Sequence, residues 1–341
     1  MRIDQLGEFG LIDRIQRALP TPGRDVLVGI GDDVAVLRTD GERVWLATCD
    51  VQVEGVHFLR DAITPLNLGR KALAINLSDI AAVGGVPRFA LISLGLPKDL
   101  PVEFVDELYQ GLSAEAENFE VDIVGGNISS SRLGIFIDIT LLGDAPPKNI
   151  LLRSGAHPGD QILVTGTLGD AAAGVALLLD PHLPTNDDYA ALARSRRDRP
   201  KPRVREGQII AATHTATAMI DISDGLAGDL GHICERSKTG VRLFADRLPV
   251  DKANRALAMR AHGDEWYFAL HGGEDYELVF TAPAARAYAL ASQITRQTGT
   301  PVTNIGEIQP SFQGQQLVLP DGRVVPLQPT GWDHFSAQAA P

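Results

Sequence analysis

The chain has 341 residues, of which 31 are Lys or Arg and 43 are Asp or Glu, so its formal net charge is −12. With 44% apolar and 22% charged residues, this is a globular composition. At roughly 150 residues per domain, the length predicts two domains. A net-negative chain binds nucleic acid or polyphosphate poorly through Lys and Arg alone, so a function that handles phosphates would require metal ions.

Membrane-spanning and disulfide-stabilised classes are not expected. The longest apolar stretches, such as residues 89–96 and 173–179, are far shorter than the ~20 residues that cross a bilayer. The N-terminus shows no signal-peptide core. Cys49 and Cys234 are the only cysteines in the sequence, which gives neither a disulfide framework nor a zinc-ligand pattern. The expected compartment is therefore the cytoplasm.

The first half of the chain alternates strands and helices. Thr64-Pro65 is typical of a helix start, because a capping residue precedes proline at the first helical position, and Gly84-Gly85 ends that helix. Antiparallel-looking strands favour an α+β fold with two α/β domains over a doubly wound parallel sheet. In chain order we expect a strand at 44–48, a helix at 65–83, a strand at 89–96, a helix from 101, a short buried strand at 121–124 and a half-buried strand at 135–141.

Pro146-Pro147 and a turn-rich stretch after it predict a boundary between an N-terminal domain, 1–147, and a C-terminal domain, 148–341. Residues 181–206 are expected to be loop-like, and the run Arg194–Arg205 within them is interpreted as a solvated segment, or as a mobile flap that helps to neutralise a nucleotide. The other elements expected are strand 161–165, a helix after Gly169, helix 225–238, strands 241–244 and 276–281, an Ala-rich helix, strand 302–308 and a hairpin at Asp321-Gly322.

Most common catalytic motifs are missing from the sequence. It contains no Walker-type phosphate loop, no dinucleotide-binding G-x-G-x-x-G between a strand and a helix, no protein-kinase signature set, no G-x-S-x-G and no H-E-x-x-H. The chemistry must therefore be sought elsewhere.

Acidic and amide residues recur beside glycine and other small residues. Carboxylates are hard oxygen ligands that suit Mg²⁺ together with phosphate oxygens, and glycine lets a phosphate approach the backbone. Any one such turn is more typical of a helix cap or turn former. Asp79 stands out because its surroundings are apolar, and Asp221 and Asp224 have the spacing to face one site. The turns are residues 29–33, 48–50, 76–79, 125–127, 221–225 and 272–275.

Three further residues have both a structural and a functional interpretation. His57 follows a strand-like segment, where a lone histidine is more often packed or on the surface than functional. Arg153 either grips a phosphate or lies on the surface. Trp332 either anchors the tail in a groove or stacks on an aromatic substrate.

Taken together, these segments resemble the thiamine-monophosphate kinase family of the aminoimidazole ribonucleotide synthetase-like superfamily, in the family's order over nearly the whole chain. The resemblance implies two α/β domains, with the N-terminal domains of a homodimer pairing into a β-barrel. It implies direct in-line transfer of the γ-phosphoryl group of ATP to thiamine monophosphate, with several Mg²⁺ ions. The matching segments are 7–9, 29–33, 48–58, 71–82, 125–127, 151–155, 221–233, 272–277 and 331–335.

The same resemblance assigns roles by matching position. No residue is expected to act as a covalent or acid–base catalyst, because the work is positioning and charge neutralisation. The implied metal set is Asp33, Thr48, Cys49, Asp50, Asp79, Asn127, Asp221 and Asp224. The implied ATP contacts are Tyr109, Gly126, Asn127, Arg153 and Ser223, and the implied contacts to thiamine phosphate are His57, Glu274 and Trp332.

Two positions depart from the family pattern. Asn127 stands where Asp is common, which keeps an oxygen ligand but removes a charge. Cys49 stands where a hydroxyl residue is usual, and a soft thiol is a poor Mg²⁺ ligand, so its backbone carbonyl is the alternative donor. Two other functions stay open: another ATP-dependent synthetase of the superfamily with a different phosphorylated substrate, or a non-catalytic nucleotide- or metal-binding protein.

Overall fold

The computed structural model describes residues 2–332 and 334–335. Its strands form two mixed sheets, one of six strands within residues 26–145 and one of seven strands within residues 160–326. Helices pack against both sheets, so the chain consists of two α/β domains. Asp333 and residues 336–341, which belong to the predicted tail and C-terminal domain, lie outside the described residues.

The N-terminal domain combines the six-stranded sheet with helices. Its elements are α1 Gly7–Ala18, β1 Val26–Val28, β2 Ala35–Leu37, β3 Val44–Val53, α2 Pro65–Ala82, β4 Val86–Leu96, α3 Val102–Asn118, β5 Asp122–Ser130 and β6 Phe136–Ala145. The sheet has the order β1-β2-β3-β6-β4-β5, and within it only β4 and β5 pair in parallel. This large antiparallel share agrees with the predicted α+β class.

The C-terminal domain is built on the seven-stranded sheet. Its elements are β7 Asp160–Thr165, α4 Asp170–Leu179, α5 Asp187–Asp198, α6 Val204–Ala212, β8 Ala218–Asp221, α7 Leu226–Ser237, β9 Thr239–Phe244, α8 Lys252–His262, α9 Tyr267–His271, β10 Leu278–Pro283, α10 Ala284–Thr298, β11 Val302–Pro310, β12 Gln315–Val318 and β13 Val324–Pro326. The sheet has the order β13-β12-β9-β11-β7-β10-β8, and only β12 and β9 pair in parallel. The hairpin predicted at Asp321-Gly322 is confirmed by antiparallel pairing of β12 with β13.

Helix α2 is the central element of the molecule. Thr64 caps its first turn by accepting a hydrogen bond from the Asn67 amide at 3.3 Å, as the sequence predicts. Of its 18 residues, 13 are buried, because it packs against α3 and the first sheet and also against α6 and β8 of the second domain. At the crossing with α3, a Cβ on Gly69 would lie 2.1 Å from the Leu108 carbonyl oxygen. Glycine there allows the two backbones to touch.

The interpretation of 181–206 as a solvated loop or flap is wrong. The segment holds α5 and the start of α6, and Asn186 caps α5 by accepting a hydrogen bond from the Tyr189 amide at 2.8 Å. Arg197 is buried and donates to the carbonyl oxygen of Ala62 in the first domain at 3.0 Å. This buried arginine therefore forms a contact between the two domains, although the high charge of the segment is typical of a solvent-exposed surface.

Two other expectations also fail. The strand predicted as short and buried at 121–124 is the nine-residue β5, which lies at the sheet edge and is mostly exposed. Helices α1 and α8 are not predicted from the sequence. Among residues 2–332 and 334–335, none of the helices has both the length and the apolar character needed to cross a membrane.

Candidate active site

Three polar residues in the second half of α2 connect this helix to β3 of its own domain and to β8 of the second domain. The Ser78 hydroxyl donates to Asp221 Oδ2 at 2.6 Å, at the end of β8. Thr48 of β3 donates to Asp79 Oδ2 at 2.5 Å, and Asn76 Oδ1 accepts the Asp50 amide at 3.1 Å. Adjacent helical residues point about 100° apart, so Ser78 contacts the second domain while Asp79 contacts β3.

The alternation of side chains along β3 places its predicted site residues on two opposite faces of the sheet. Thr48 and Asp50 lie on the face toward α2, whereas Cys49 lies on the opposite face. The Cys49 thiol donates to Asp138 Oδ1 at 3.0 Å on that outer face. Its sulfur is therefore separated by the sheet from Asp79 and Asp50.

The carboxylates gathered around α2 repel one another. Burial, with Glu8 the next cause, raises the pKa of Asp50 to about 6. Burial and then the charge of Asp33 raise the pKa of Asp221 to about 7. Burial, reinforced by Asp50 and Asp221, raises the pKa of Asp79 well above its usual range. Such carboxylates gain from a bound cation.

Asp33 of the first domain lies close to Asp50, Asp79 and Asp221, and these four residues form what we call the carboxylate cluster. Arg153 grips its Oδ1 through Nε at 3.1 Å and Nη2 at 2.5 Å, and the Arg153 amide donates to Asp32 Oδ2 at 3.4 Å. Asp33 Oδ2 is buried and accepts no hydrogen bond from any described residue. An orphaned, buried carboxylate oxygen fits a cation ligand.

The described side chains do not complete a metal site on their own. Within residues 2–332 and 334–335, no three His, Cys, Asp or Glu side chains form a group that could hold a metal ion. Mg²⁺ in phosphate-handling sites takes only one or two carboxylates and fills its shell with water and phosphate oxygens. The cluster therefore fits ions that arrive with a polyphosphate.

The turn after β8 supports both the cluster and the C-terminal tail. Asp229 Oδ2 accepts the amides of Asp224 and Gly225 at 3.3 and 3.1 Å, which fixes the start of α7. The Trp332 amide donates to the Asp224 carbonyl oxygen at 3.0 Å. A Cβ on Gly331 would lie 2.9 Å from Asp224, so glycine is required where the tail crosses this turn.

A second group of residues lies beside the cluster. Lys71 Nζ is 2.6 Å from Glu274 Oε1, in an ion pair that joins α2 to the loop before β10. The rings of His57 and His334 are 4.9 Å apart, and Trp332 Nε1 donates to His334 Nδ1 at 3.3 Å. Burial, then the charges of His334 and Lys71, lower the pKa of His57 to about 4. His57, Glu274 and Trp332, the residues predicted to contact thiamine phosphate, therefore lie in one region, which we call the acceptor region.

The turn that carries Ser223 packs tightly on the Glu274 loop. The Glu274 amide donates to the Ser223 carbonyl oxygen at 2.7 Å. A Cβ on Gly273 would lie 2.3 Å from the same oxygen. This close approach explains the Gly-Gly pair before Glu274 and links the predicted ATP contact Ser223 with the predicted acceptor contact Glu274.

Three predicted residues lie apart from this region. Pairing across the first sheet runs from Asp50 to Ile139, from Ile139 to Ile92, and from Ile92 to Gly126. Three strand spacings place Gly126, and Asn127 after it, about 14 Å from Asp50. Tyr109 packs on α3 against the core of the first domain.

Lys71, Asn76, Ser78 and His334 lie in segments that the sequence analysis singled out, but it assigned them no role. The available signal was the polar pattern inside α2, where Lys, Asn and Ser interrupt an otherwise apolar helix. Lys71 is only 2% exposed, and a lysine that deep is unusual unless it is paired.

Comparisons with known proteins identify related families and structures. The family models of AIR synthase related protein match this chain, the N-terminal domain at residues 31–145 and the C-terminal domain at residues 157–315. A thiamine-monophosphate kinase from Aquifex aeolicus is 37% identical, over 98% of this chain and 100% of its own length. One from Salmonella typhimurium is 39% identical, over 97% and 98%. The solved structure of AaThiL complexed with AMPPCP and TMP has a TM-score of 0.82 and 37% identity, over 98% of this chain and 99% of that one.

Proposed function

Because this chain belongs to the thiamine-monophosphate kinase family, we propose that it transfers the γ-phosphoryl group of ATP to thiamine monophosphate, giving thiamine diphosphate and ADP. The observation that carries the proposal is the carboxylate cluster that α2 assembles from both domains. Its acidic character, like the net charge of −12, suits a site where cations hold two phosphorylated molecules. The relatives' names and the AaThiL complex support the same substrates.

We propose Mg²⁺ as the cation, held by Asp33, Asp50, Asp79, Asp221 and Asp224, with Thr48 orienting Asp79. When bound, Mg²⁺ would neutralise phosphate charge and align the transferred group. The orphaned Oδ2 of Asp33 supports this assignment. Cys49 enters it through its backbone carbonyl, because its thiol faces the other side of the sheet.

The protein residues supply positioning rather than proton transfer. A phosphate monoester is largely deprotonated near neutral pH, so the acceptor needs no strong general base, and we expect no phospho-enzyme. Arg153 and Ser223 are proposed to contact ATP at the cluster, while His57, Glu274 and Trp332 hold the thiamine moiety beside it. Two anions then meet in a geometry fixed by α2.

The direct test is to incubate the protein with ATP, Mg²⁺ and thiamine monophosphate and to separate the products by chromatography. We expect thiamine diphosphate and ADP in equal amounts, and no labelled protein after acid quenching with γ-labelled ATP. A parallel reaction with free thiamine distinguishes a pyrophosphokinase. ATP that binds without being consumed would favour the non-catalytic alternative.

We also propose that two copies pair through the outer face of the first sheet, closing a β-barrel between N-terminal domains. Trp45, Val51 and Leu91 project from this face and are 39%, 41% and 40% exposed. Apolar side chains clustered on one sheet face favour burial against a partner.

Light scattering after size exclusion tests this pairing. We expect a dimer for the wild type and a monomer for Leu91→Lys, while Tyr288→Lys, at a site 85% exposed on α10, leaves the dimer intact. A monomeric wild type would contradict the proposal.

We further propose that the two domains meet at residues 147/148 and that the protein is cytoplasmic. Cleavage near residue 147 in limited proteolysis would support this boundary.

A further inference from the structure

Lys71 is the most unusual charged residue of α2. Its side chain is 2% exposed, and its Nζ lies 2.6 Å from Glu274 Oε1. Burying an ammonium group is costly, and a buried ion pair often stabilises a fold no better than apolar residues of the same volume. An apolar residue at position 71 would therefore pack α2 equally well. The positive charge of Lys71 is instead explained by its interaction with Glu274.

Lys71 and Ser78 lie seven residues apart on α2, which places them on the same side of the helix and about 10 Å apart along its axis. Both donate to carboxylates of the second domain, Ser78 to Asp221 and Lys71 to Glu274. One rigid helix face thereby sets the separation between the carboxylate cluster and the acceptor region.

The backbone around Glu274 is held in a disfavoured conformation. Glu274 has φ +67° and Tyr276 has φ +49°, in the left-handed region that non-glycine residues avoid. The amides of Glu274 and Tyr276 are tied to the carbonyl oxygens of Ser223 and Ile222 at 2.7 and 2.8 Å. These bonds fix the backbone, and the ion pair with Lys71 then fixes the direction of the Glu274 carboxylate.

We propose that Lys71 is a positioning residue for the acceptor, acting through Glu274 by holding its carboxylate in the orientation that binds thiamine monophosphate. The inference rests on the proposed function, in which Glu274 contacts the acceptor. Lys71 acts indirectly because its ammonium is covered and already engaged. Since Lys71 lies on α2 and Glu274 on the second domain, this ion pair also couples acceptor binding to the relative placement of the two domains.

The test compares Lys71→Met, which keeps the length and apolar stem, with Glu274→Gln and the double variant. For Lys71→Met we expect the KM for thiamine monophosphate to rise about tenfold or more, with the KM for ATP within about twofold of wild type. Because Lys71 acts through Glu274, the double variant should match Glu274→Gln within about twofold. Lys252→Met, an exposed helical lysine, is the control and should change neither KM.

Thermal unfolding checks that each variant folds. If Lys71→Met alone fails to fold, the double variant remains measurable, because replacing both members of a buried pair is better tolerated than removing one, and an acceptor KM well above that of Glu274→Gln would overturn the inference. An unchanged acceptor KM in Lys71→Met, an equal rise in both KM values, or multiplicative effects in the double variant would overturn the inference.

Calorimetric binding of thiamine monophosphate without ATP separates the two hypotheses. A wild type that binds the acceptor without turning it over refutes the proposed function, while the Lys71 comparison is still read from Kd. A wild type that makes thiamine diphosphate with an unchanged Kd for Lys71→Met refutes the inference alone. A Kd that weakens tenfold in Lys71→Met and in Glu274→Gln alike supports it.

Discussion

Replacing Asp221 with asparagine should make the metal-free protein more stable at alkaline pH while abolishing turnover. The pKa of Asp221 is raised from its ordinary 3.8 to about 7 by burial and by Asp33. Because the pKa is higher in the folded protein than in the unfolded chain, stability is greatest below about 4 and falls as the pH rises through about 7. The neutral amide in Asp221→Asn would carry no such penalty, and its oxygen could still accept the Ser78 hydrogen bond.

The size of the effect follows from this difference. A change from 3.8 to about 7 corresponds to roughly 4 kcal/mol, at about 1.4 kcal/mol for each tenfold change in the ionisation constant. The neighbouring carboxylates share that penalty, so about 1–2 kcal/mol is expected for this single replacement. For a chain of this size, that raises the Tm by roughly 1–3 °C.

The assay is thermal unfolding in EDTA at pH 8 and at pH 5. Asp221→Asn should exceed the wild type at pH 8, and the difference should shrink at pH 5, where the wild-type carboxyl is protonated. Mg²⁺ should raise the wild-type Tm at pH 8 and affect the variant less. A less stable Asp221→Asn in EDTA at pH 8 would refute the reasoning.

Asp144→Asn is a matched control with the opposite sign. Burial raises the pKa of Asp144, but hydrogen bonds from Arg43 and Arg88, at 2.6 and 3.2 Å, outweigh burial and lower this pKa below its ordinary value. Its contribution to stability is therefore present above the ordinary pKa and lost as the pH falls below it. This replacement should lower the Tm at pH 8 and leave turnover close to wild type.

The remaining predictions concern the proposed ligands. Asp79→Asn should lower kcat by at least about 100-fold with an unchanged circular dichroism spectrum, since it removes charge at the developing transition state; a near-wild-type rate would remove Asp79 from the site. Trp332→Ala should raise the KM for thiamine monophosphate about 5- to 30-fold, from a lost cation–π contact of ~1–2 kcal/mol, and an equal KM would reject stacking. Asn127→Asp, at a residue about 14 Å from Asp50 within the chain, should leave the Mg²⁺ concentration that gives half-maximal rate unchanged, and a lower value in that titration would place Asn127 in the metal environment.

Local sequence is sufficient for features that depend on nearby residues. The capped start of α2 and the Asp321-Gly322 hairpin are predictable because cap and turn chemistry acts over a few residues. The prediction for residues 181–206 is wrong for the opposite reason, because Arg197 is buried against a distant part of the chain in the other domain. Periodicity carries no information about such partners.

The sequence by itself determined the family, the antiparallel α+β class and the acidic residues available for a phosphate site. Those properties are carried by composition, motif order and short-range patterns. Only the tertiary structure decided which candidates meet. Ser78 and Asp221, 143 residues apart in the chain, share a hydrogen bond, Cys49 turns to the outer face of β3, and Lys71 reaches Glu274. These outcomes depend on how α2 packs between the two sheets, because packing fixes the directions in which side chains point.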